Sequence, residues 1–168
     1  IASNLGDGVS TFIAIDDKGM VTLYSGKVDL GTGAVTAITQ MAAEELSVPF
    51  AQVTTIQGDT AVTPNQGPTY ASLSVQNGGM HIRHAAATAR EALLDQAASK
   101  LGIAKGELVV RDGVISPRSS GKALSYAELV GDRKLTIKVD PKAPLKDPKD
   151  YTIVGKPVPR LDIPAKIF

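Results

Sequence analysis

One apolar stripe sets the strongest limit on how this chain can fold. Its members recur at spacings of three or four residues: Ile82, Ala86, Ala89, Leu93, Ala97 and Leu101. This spacing predicts a long helix that begins near Val75 or Gly79 and buries one face against other elements. Alanine favours the helix along this stretch, and Gly102 is suited to ending it at the C′ position.

Strands and a second helix are predicted before the long helix. Thr11–Ile15 and Met20–Tyr24 are strand-like runs, and Asp16–Gly19 between them has the residues of a hairpin turn. An apolar stripe over 35–46 predicts an amphipathic helix. Residues 52–57 then form a further strand-like run.

Shorter elements are predicted after the long helix. Leu108–Val110 and Val114–Ile115 flank an Asp-Gly step, which is typical of a small hairpin. Residues 125–130 predict one or two helical turns that start at a serine cap. The fold class is therefore α/β (α+β), in which a β-hairpin and a small mixed sheet pack with two main helices.

The last part of the chain differs in character. Residues 140–168 hold six of the ten prolines, which exclude a regular helix and would break an interior strand. We expect a globular segment over 1–139 and an extended strap or linker over 140–168. The apolar end at Ile167 and Phe168 leads us to expect a further domain after it.

Composition removes several function classes. The chain has no cysteine, which excludes disulfides, cysteine-ligated zinc and iron–sulfur clusters held by these 168 residues. A net charge of +1 and an aromatic content of 4% argue against a nucleic-acid surface. No apolar run approaches the roughly 20 residues of a membrane-spanning helix.

The stretch Leu30–Thr36, just before the first helix, is a candidate phosphate-binding loop. Backbone amides at a helix start lack partners and favour anions. Gly31 and Gly33 would allow a phosphate to approach the backbone closely, and Thr32 and Thr36 could add hydroxyl donors. The alternative is a simple glycine-containing turn at the start of a helix.

A dinucleotide-binding Rossmann site is a weaker interpretation of the same loop. Gly31-x-Gly33-x-x-Thr36 departs from that fingerprint because the third position is threonine. Asp59 follows the next strand, as a ribose-binding acid would. The strand before the loop, however, ends several residues too early for the tight turn that the fingerprint needs.

Thr69–Ser74 is the second candidate loop and precedes the long helix. It carries several hydroxyl groups. Two hydroxyl-rich helix starts that meet at one crevice would suit an extended pyrophosphate. The alternative is ordinary N-capping by Ser72 or Ser74.

His81 and His84 have a spacing that can bind a metal, but no carboxylate or cysteine close in sequence completes a site. Solvated or interface histidines are the simpler interpretation. The acids are scattered, and we identify no catalytic and no metal-binding residue.

The motifs, in their order, resemble one enzyme family. They are Gly26–Pro49, Val53–Thr60, Ala71–Ser74 followed by Gly78 or Gly79, and Pro144–Lys166. Together they resemble the xanthine dehydrogenase/aldehyde oxidase family of molybdenum hydroxylases, and most closely the isoquinoline 1-oxidoreductase β-subunit type. The resemblance covers about residues 10–168 and corresponds to the N-terminal segment that precedes the hammerhead domain of the large subunit.

This resemblance implies a molybdopterin cytosine dinucleotide cofactor with molybdenum. It implies aldehyde oxidation or hydroxylation of N-heteroaromatics, with oxygen from water and electrons passed to [2Fe–2S] clusters on a partner subunit. The expected partners are the rest of the large subunit, the iron–sulfur small subunit, and a cytochrome or another electron acceptor. Members of this type are bacterial. Whether the protein is located in the cytoplasm or the periplasm stays open.

The resemblance also assigns cofactor-binding residues. Those matching the first pterin-dinucleotide loop are Gly31, Thr32, Gly33, Thr36 and Gln40. Those matching the second loop are Ala71, Ser72, Leu73 and Ser74. Thr32 stands where the family has glutamine and Leu73 where it often has arginine, while the family's catalytic glutamate lies downstream of this sequence. The alternative is a stand-alone interaction or assembly domain that kept the fold and lost the cofactor.

Overall fold

A hairpin and a crossover helix open the fold. The computed structural model describes residues 7–131 and 135–167. Strands β1 (Ile13–Ile15) and β2 (Val21–Ser25) pair antiparallel. This pairing confirms the hairpin expected over residues 11–25.

The first helix, α1 (Ala34–Leu46), connects β2 to strand β3 (Val53–Gln57). Strands β2 and β3 pair in parallel, which requires a crossover connection, and α1 supplies it. The resulting sheet has the order β1-β2-β3 and is mixed, as expected. The helix ends at Ser47, which adopts a left-handed conformation with φ +55°.

The long helix, α2 (Met80–Leu101), begins with a π-helical turn at Ser74–Gly79 and ends at Gly102, with φ +67°. Its buried face is largely alanine, which lets α1 pack closely against it. The fully buried members are Ile82, Ala85, Ala86, Ala87, Ala89, Leu93 and Ala97. No helix in the described ranges is long and apolar enough to cross a membrane.

A second small sheet packs beside the end of α1. It comprises β4 (Leu108–Arg111), β5 (Val114–Pro117) and β6 (Leu124–Ser125), followed by α3 (Tyr126–Val130). Ser125 and Glu128 form a reciprocal capping box at the start of α3, as the predicted serine cap requires. The buried Tyr126 hydroxyl donates to the Leu46 carbonyl (2.8 Å), which ties this sheet to the end of α1.

The proline-rich tail packs along α1 as a strap, which we define as residues 140–167. The sequence argument excluded a regular helix here. The strap nevertheless contains a single turn at Pro148–Asp150 and the four-residue helix α4 (Pro164–Ile167). Proline is compatible with both because it stands in the first turn, where its missing N–H is not needed.

Candidate cofactor-binding cleft

The Asp29 carboxylate lies at the start of α1 and binds its free amides. Oδ1 accepts hydrogen bonds from the amides of Gly31 (2.8 Å) and Gly33 (3.2 Å), and Oδ2 accepts one from Val35 (3.0 Å). Gly33 occupies the N-cap with φ +77°, a conformation that favours glycine. Part of the anion-binding capacity expected at this helix start is therefore used by the chain itself.

These contacts also keep Asp29 ionised. Burial acts to raise the pKa of the carboxyl group, but the hydrogen bonds from Val35, Gly31 and Gly33 outweigh it and lower the pKa below its ordinary 3.8. At neutral pH the carboxylate is negative and complements the positive end of the α1 dipole.

Two alternate amides of the same loop stay available. Within residues 7–131 and 135–167, the amides of Thr32 and Ala34 donate no hydrogen bond to the protein. Ala34 is the first residue of α1, so its amide has no partner inside the helix. The amides of Gly31, Gly33 and Val35 thus bind Asp29. The amides of Thr32 and Ala34, which alternate with them, can bind another acceptor.

The second candidate loop, Thr69–Ser74, has a strained backbone. Ala71 (φ +50°) and Ser72 (φ +57°) both adopt left-handed conformations, which cost side-chain-bearing residues about 1–2 kcal/mol each. The chain then enters the π-helical turn at Ser74. Such outliers cluster at ligand sites.

Ser72 and Ser74 do not cap this helix. The N-cap residue is Leu73, and no side chain donates or accepts a capping hydrogen bond there. The capping alternative from the sequence is therefore wrong, because the left-handed backbone at Ser72 and the wide turn after it displace both serines from the N-cap position.

The two loops meet at one cleft of about 350 Å³. The first loop contributes Leu30, Thr32, Gly33 and Ala34, and the second contributes Thr69, Tyr70, Ala71, Ser72 and Ser74. The side chain of Ala37 on α1 lies at the same cleft. The convergence of two hydroxyl-bearing helix starts that the sequence suggested is present in the structure.

Leu73 lies outside this cleft and lines the neighbouring groove with Lys27 and His81. Lys27 is 5% exposed, and its Nζ donates to the carbonyls of Gly67 (3.3 Å) and Pro68 (2.8 Å). No carboxylate of the described residues forms an ion pair with it. A buried lysine without a carboxylate partner among the described residues therefore lies beside the second loop, where its positive charge favours an anion.

Gly26 and Gln66 join the segments that lead into the two loops. The Gly26 amide donates to the Gln66 Oε1 (2.8 Å), and the Gln66 Nε2 donates to the Gly78 carbonyl (3.2 Å). A Cβ atom on Gly26 would lie 1.9 Å from the Pro64 carbonyl oxygen. Only glycine permits this approach, so the segment after β2 packs closely against the segment before the second loop.

The other three residues assigned to the first loop contact the strap. The Gly31 carbonyl accepts from Arg160 Nη2 (2.9 Å), and the Thr36 hydroxyl accepts from the Leu161 amide (3.0 Å). The Gln40 side-chain amide donates to the carbonyls of Ile153 and Lys156, both at 3.0 Å. The structure therefore separates these three from Thr32 and Gly33, which line the cleft.

Glu44 continues the same row of α1 and anchors the strap. Its Oε2 accepts from three successive amides, those of Thr152 (2.9 Å), Ile153 (2.6 Å) and Val154 (3.0 Å), and its Oε1 pairs with Lys146. Burial acts to raise the pKa of Glu44, but these hydrogen bonds and Lys146 lower it below 4.5. The strap is thus held by a charged group inside the fold.

Glu45, next in sequence, is a second buried anchor. It pairs with Arg83 (2.6 Å) and Arg90 (2.9 Å), and it accepts from the Lys146 amide. Both arginines also donate to strap carbonyls. Because each charge has partners, the buried network holds the strap against α1 and α2 without an unpaired ion.

His81 and His84 lie about one turn apart on α2, as their spacing in the sequence predicted. Burial, Lys27 and His84 lower the pKa of His81, so it is neutral at pH 7. No group of three or more metal-ligating side chains is found among the residues that the structure describes.

The Rossmann alternative is not favoured by the geometry. Residues 26–33 separate β2 from α1, so the tight strand-to-helix turn of that fingerprint is missing. Asp59 uses its carboxylate to bind the Ala61 amide (2.9 Å) in its own turn.

Sequence reasoning missed Asp29, Lys27 and Arg160. A signal existed for Asp29, because an aspartate two residues before a glycine commonly binds the following backbone amides. The other two were not identifiable, because Lys27 and Arg160 act on segments about 40 and 130 positions away along the chain.

Comparison with known proteins identifies the family of this chain. The model of the molybdopterin cofactor-binding domain matches residues 2–157. A nicotinate dehydrogenase subunit of Pseudomonas putida is 46% identical over 158 residues, which are 94% of this chain and 13% of that protein. The chain therefore spans only a small part of the length of this relative.

Two solved structures share the fold. Quinoline 2-oxidoreductase from Pseudomonas putida 86 matches with a TM-score of 0.60 at 30% identity, over 71% of this chain and 15% of that one. CO dehydrogenase from Oligotropha carboxidovorans matches with a TM-score of 0.63 at 25% identity, over 75% and 17%. These matches confirm the resemblance to molybdenum hydroxylases, and the chain belongs to the molybdopterin cofactor-binding domain family.

Proposed function

We propose that the cleft between the two loops binds the pyrophosphate of molybdopterin cytosine dinucleotide in a molybdenum hydroxylase large subunit. The observation that carries this proposal is the meeting of two helix starts at one cleft, each with polar groups that bind nothing else in the described part of the chain. Backbone amides at helix starts are suited to phosphate oxygens.

The residues present fit such a group. Thr32 and Ala34 offer amides, and the Thr32, Ser72 and Ser74 hydroxyls can donate as well. Lys27 adds a buried positive charge beside the second loop. The strained backbone at Ala71 and Ser72 is typical of a loop held ready for a ligand.

The assigned residues divide into two roles in this proposal. Thr32, Gly33, Ala71, Ser72 and Ser74 would contact the cofactor at the cleft. Leu73 would shape the neighbouring groove by packing, since it cannot replace the hydrogen bonds of an arginine. The strap would hold the first loop in place through its hydrogen bonds to Gly31, Thr36 and Gln40.

The activity proposed for the whole subunit follows its relatives. When bound, the cofactor supplies the redox chemistry for hydroxylating an N-heteroaromatic or oxidising an aldehyde, with oxygen from water. A nicotinate-like N-heteroaromatic is the substrate class favoured by the 46% identity to the nicotinate dehydrogenase of Pseudomonas putida. Electrons would pass to [2Fe–2S] clusters on a partner subunit and then to a cytochrome or another acceptor.

The test is cofactor content in the intact protein. The gene is tagged in its native host, the protein that contains this chain is purified, and molybdenum and acid-released CMP are quantified per subunit. We expect both near one equivalent. A preparation without molybdenum and CMP would overturn the proposal and favour the alternative, an interaction or assembly domain.

A cleft-filling variant makes the test specific to this site. Ala37 lies at the cleft and is half-buried on α1, so Ala37→Leu places bulk there while keeping a good helix former. Ala92→Leu is the matched control, because Ala92 is a half-buried alanine of α2 outside the cleft. We expect only Ala37→Leu to lose CMP and molybdenum, and equal losses in both variants would contradict this location.

A further inference from the structure

Arg160 of the strap reaches back over the first loop. Its Nη2 donates to the Gly31 carbonyl (2.9 Å). Its guanidinium also lies against Gly33, where a Cβ atom would come within 3.3 Å of Cζ and Nε. A strap residue thus contacts both glycines, although about 130 positions separate them in the sequence.

Asp162 holds the guanidinium in this orientation. Its Oδ1 accepts from Arg160 Nε (2.9 Å) and its Oδ2 from Nη2 (2.7 Å), a two-point pairing with defined geometry. Lys166 Nζ binds the same carboxylate (2.7 Å). The adjacent Leu161 amide donates to the Thr36 hydroxyl, so the strap contacts both the loop before α1 and the first turn of α1.

The Arg160 hydrogen bond orients the whole peptide unit between Gly31 and Thr32. The Gly31 carbonyl and the Thr32 N–H belong to one planar, trans peptide unit, in which they point in opposite directions. A cation bonded to the carbonyl therefore directs the Thr32 N–H away from the strap. It also polarises the unit, which makes that N–H a stronger donor.

Asp29 fixes the same loop from the other side. It binds the amides of Gly31 and Gly33, which flank the Thr32 peptide. With the amides of both neighbours bound, the Gly31–Thr32 peptide plane can still rotate, and the Arg160 hydrogen bond opposes that rotation. Thr32 itself lines the cleft and its amide binds nothing else in the described ranges.

We propose that Arg160 is a positioning residue, which orients and polarises the Thr32 amide so that it can bind the pyrophosphate of the cofactor. This inference rests on the function proposed above. Arg160 does not itself line the cleft, so it acts through the peptide that it holds.

The test compares three variants of the purified cofactor-containing protein. Arg160→Ala removes the contact, and Arg160→Lys keeps a single cationic donor. Lys149→Ala is the matched control, because it removes an exposed strap ion pair far from the loop. The readouts are CMP and molybdenum per subunit, and hydrogen exchange of the peptide that covers residues 29–36.

We expect Arg160→Ala to lower affinity for the cofactor by about tenfold or more, as is typical when a group supporting a ligand-binding residue is lost. Exchange over residues 29–36 should become faster in the same variant. Arg160→Lys should recover part of both effects, and Lys149→Ala should show neither. Wild-type cofactor content together with unchanged loop exchange in Arg160→Ala would overturn the proposal.

Two further comparisons separate this inference from its alternatives. Glu128→Gln weakens the α3 capping box and lowers Tm without touching the loop, so an equal loss of cofactor in this variant would show a general stability effect and overturn positioning. If the wild-type protein contains no CMP, the proposed function itself fails. Loop exchange in the Arg160 variants would then still decide whether Arg160 holds the Thr32 peptide.

Discussion

The two main helices begin in opposite ways. At the start of α1, a glycine takes the left-handed position and an aspartate of the same loop binds three amides. At the start of α2, Ala71 and Ser72 take left-handed positions, and no side chain caps the π-helical turn that follows. The chain satisfies three amides of the first start and leaves those of Thr32 and Ala34 for another acceptor, whereas the second start carries strain that the chain does not relieve.

This difference separates stability from binding. A satisfied start such as that of α1 stabilises the fold, and removing its parts should weaken the protein. A strained, uncapped start such as that of α2 costs stability and persists only because its surroundings hold it. Substitutions at the two loops should therefore change the free energy of unfolding in opposite directions.

The largest expected effect comes from separating the two starts. Gly26→Ala places a Cβ atom 1.9 Å from the Pro64 carbonyl oxygen, and backbone must move to relieve it. We expect the free energy of unfolding to fall by roughly 3 kcal/mol or more, as in severe overpacking. Urea denaturation measures this loss. Gly106→Ala is the control, since a Cβ there meets nothing within 4 Å, and similar losses in both variants would remove the claim that this contact joins the loops.

A smaller loss is expected at the satisfied start. Asp29→Ala leaves the amides of Gly31, Gly33 and Val35 without their acceptor. The free energy of unfolding should fall by about 1–2 kcal/mol, in the range of lost helix caps. Thermal or urea denaturation gives the value, and Asp17→Ala, at an exposed acid of the β1–β2 turn, should change it little. An unchanged stability would mean that water replaces the carboxylate at no cost.

A gain is expected at the strained start. Ala71→Gly and Ser72→Gly relieve the left-handed backbone strain of the folded protein. This gain exceeds the cost of the extra conformational entropy that glycine gives to the unfolded chain. Each of these two glycine variants should raise the free energy of unfolding by about 0.5–1 kcal/mol. The same variants should lose CMP and molybdenum, since the loop would no longer be held ready for the ligand.

Ser47 provides the matched control for this gain. It also adopts a left-handed conformation (φ +55°), but it ends α1 away from the cleft. Ser47→Gly should therefore stabilise the protein by a similar amount and leave its cofactor content unchanged. If Ser47→Gly lost cofactor as well, stability and binding would not separate in the way that the two helix starts suggest.

Local pattern was enough to predict most of the fold. Periodic apolar residues located α1 and α2, and the Asp-Gly step and the serine at position 125 located the second hairpin and α3. These features depend on residues a few positions apart, which sequence spacing reports directly. The strap was expected as an extended segment, but its anchors on Glu44 and Glu45 were not.

The same local patterns predicted only part of the candidate site. Glycines and hydroxyls marked both loops, and the structure brings them to one cleft. The division of the first loop was not predictable, because it depends on Arg160 and Leu161, which contact Gly31 and Thr36 from the far end of the chain. The strain at Ala71 and Ser72 had no signal either, since neither residue type favours a left-handed backbone.

The smallest expected effect is the pH dependence of the α1 start. The hydrogen bonds from Val35, Gly31 and Gly33 outweigh burial and place the pKa of Asp29 below 3.8 in the folded protein. Its charge-dependent stabilisation is therefore complete above about pH 3.8 and is lost as pH falls through the lower folded pKa.

The comparison of wild type with Asp29→Asn isolates this contribution, which we expect to be below about 1 kcal/mol. Measured by urea denaturation from pH 7 to pH 3, the stability difference should stay constant down to about pH 4 and then shrink. The Ser72→Gly difference should stay constant throughout, because no titratable group caps the second start. A difference for Asp29→Asn that instead shrank between pH 7 and pH 5 would mean that another titrating group controls the first loop. The contrast between a start capped by its own carboxylate and a start held under strain would then depend on that group.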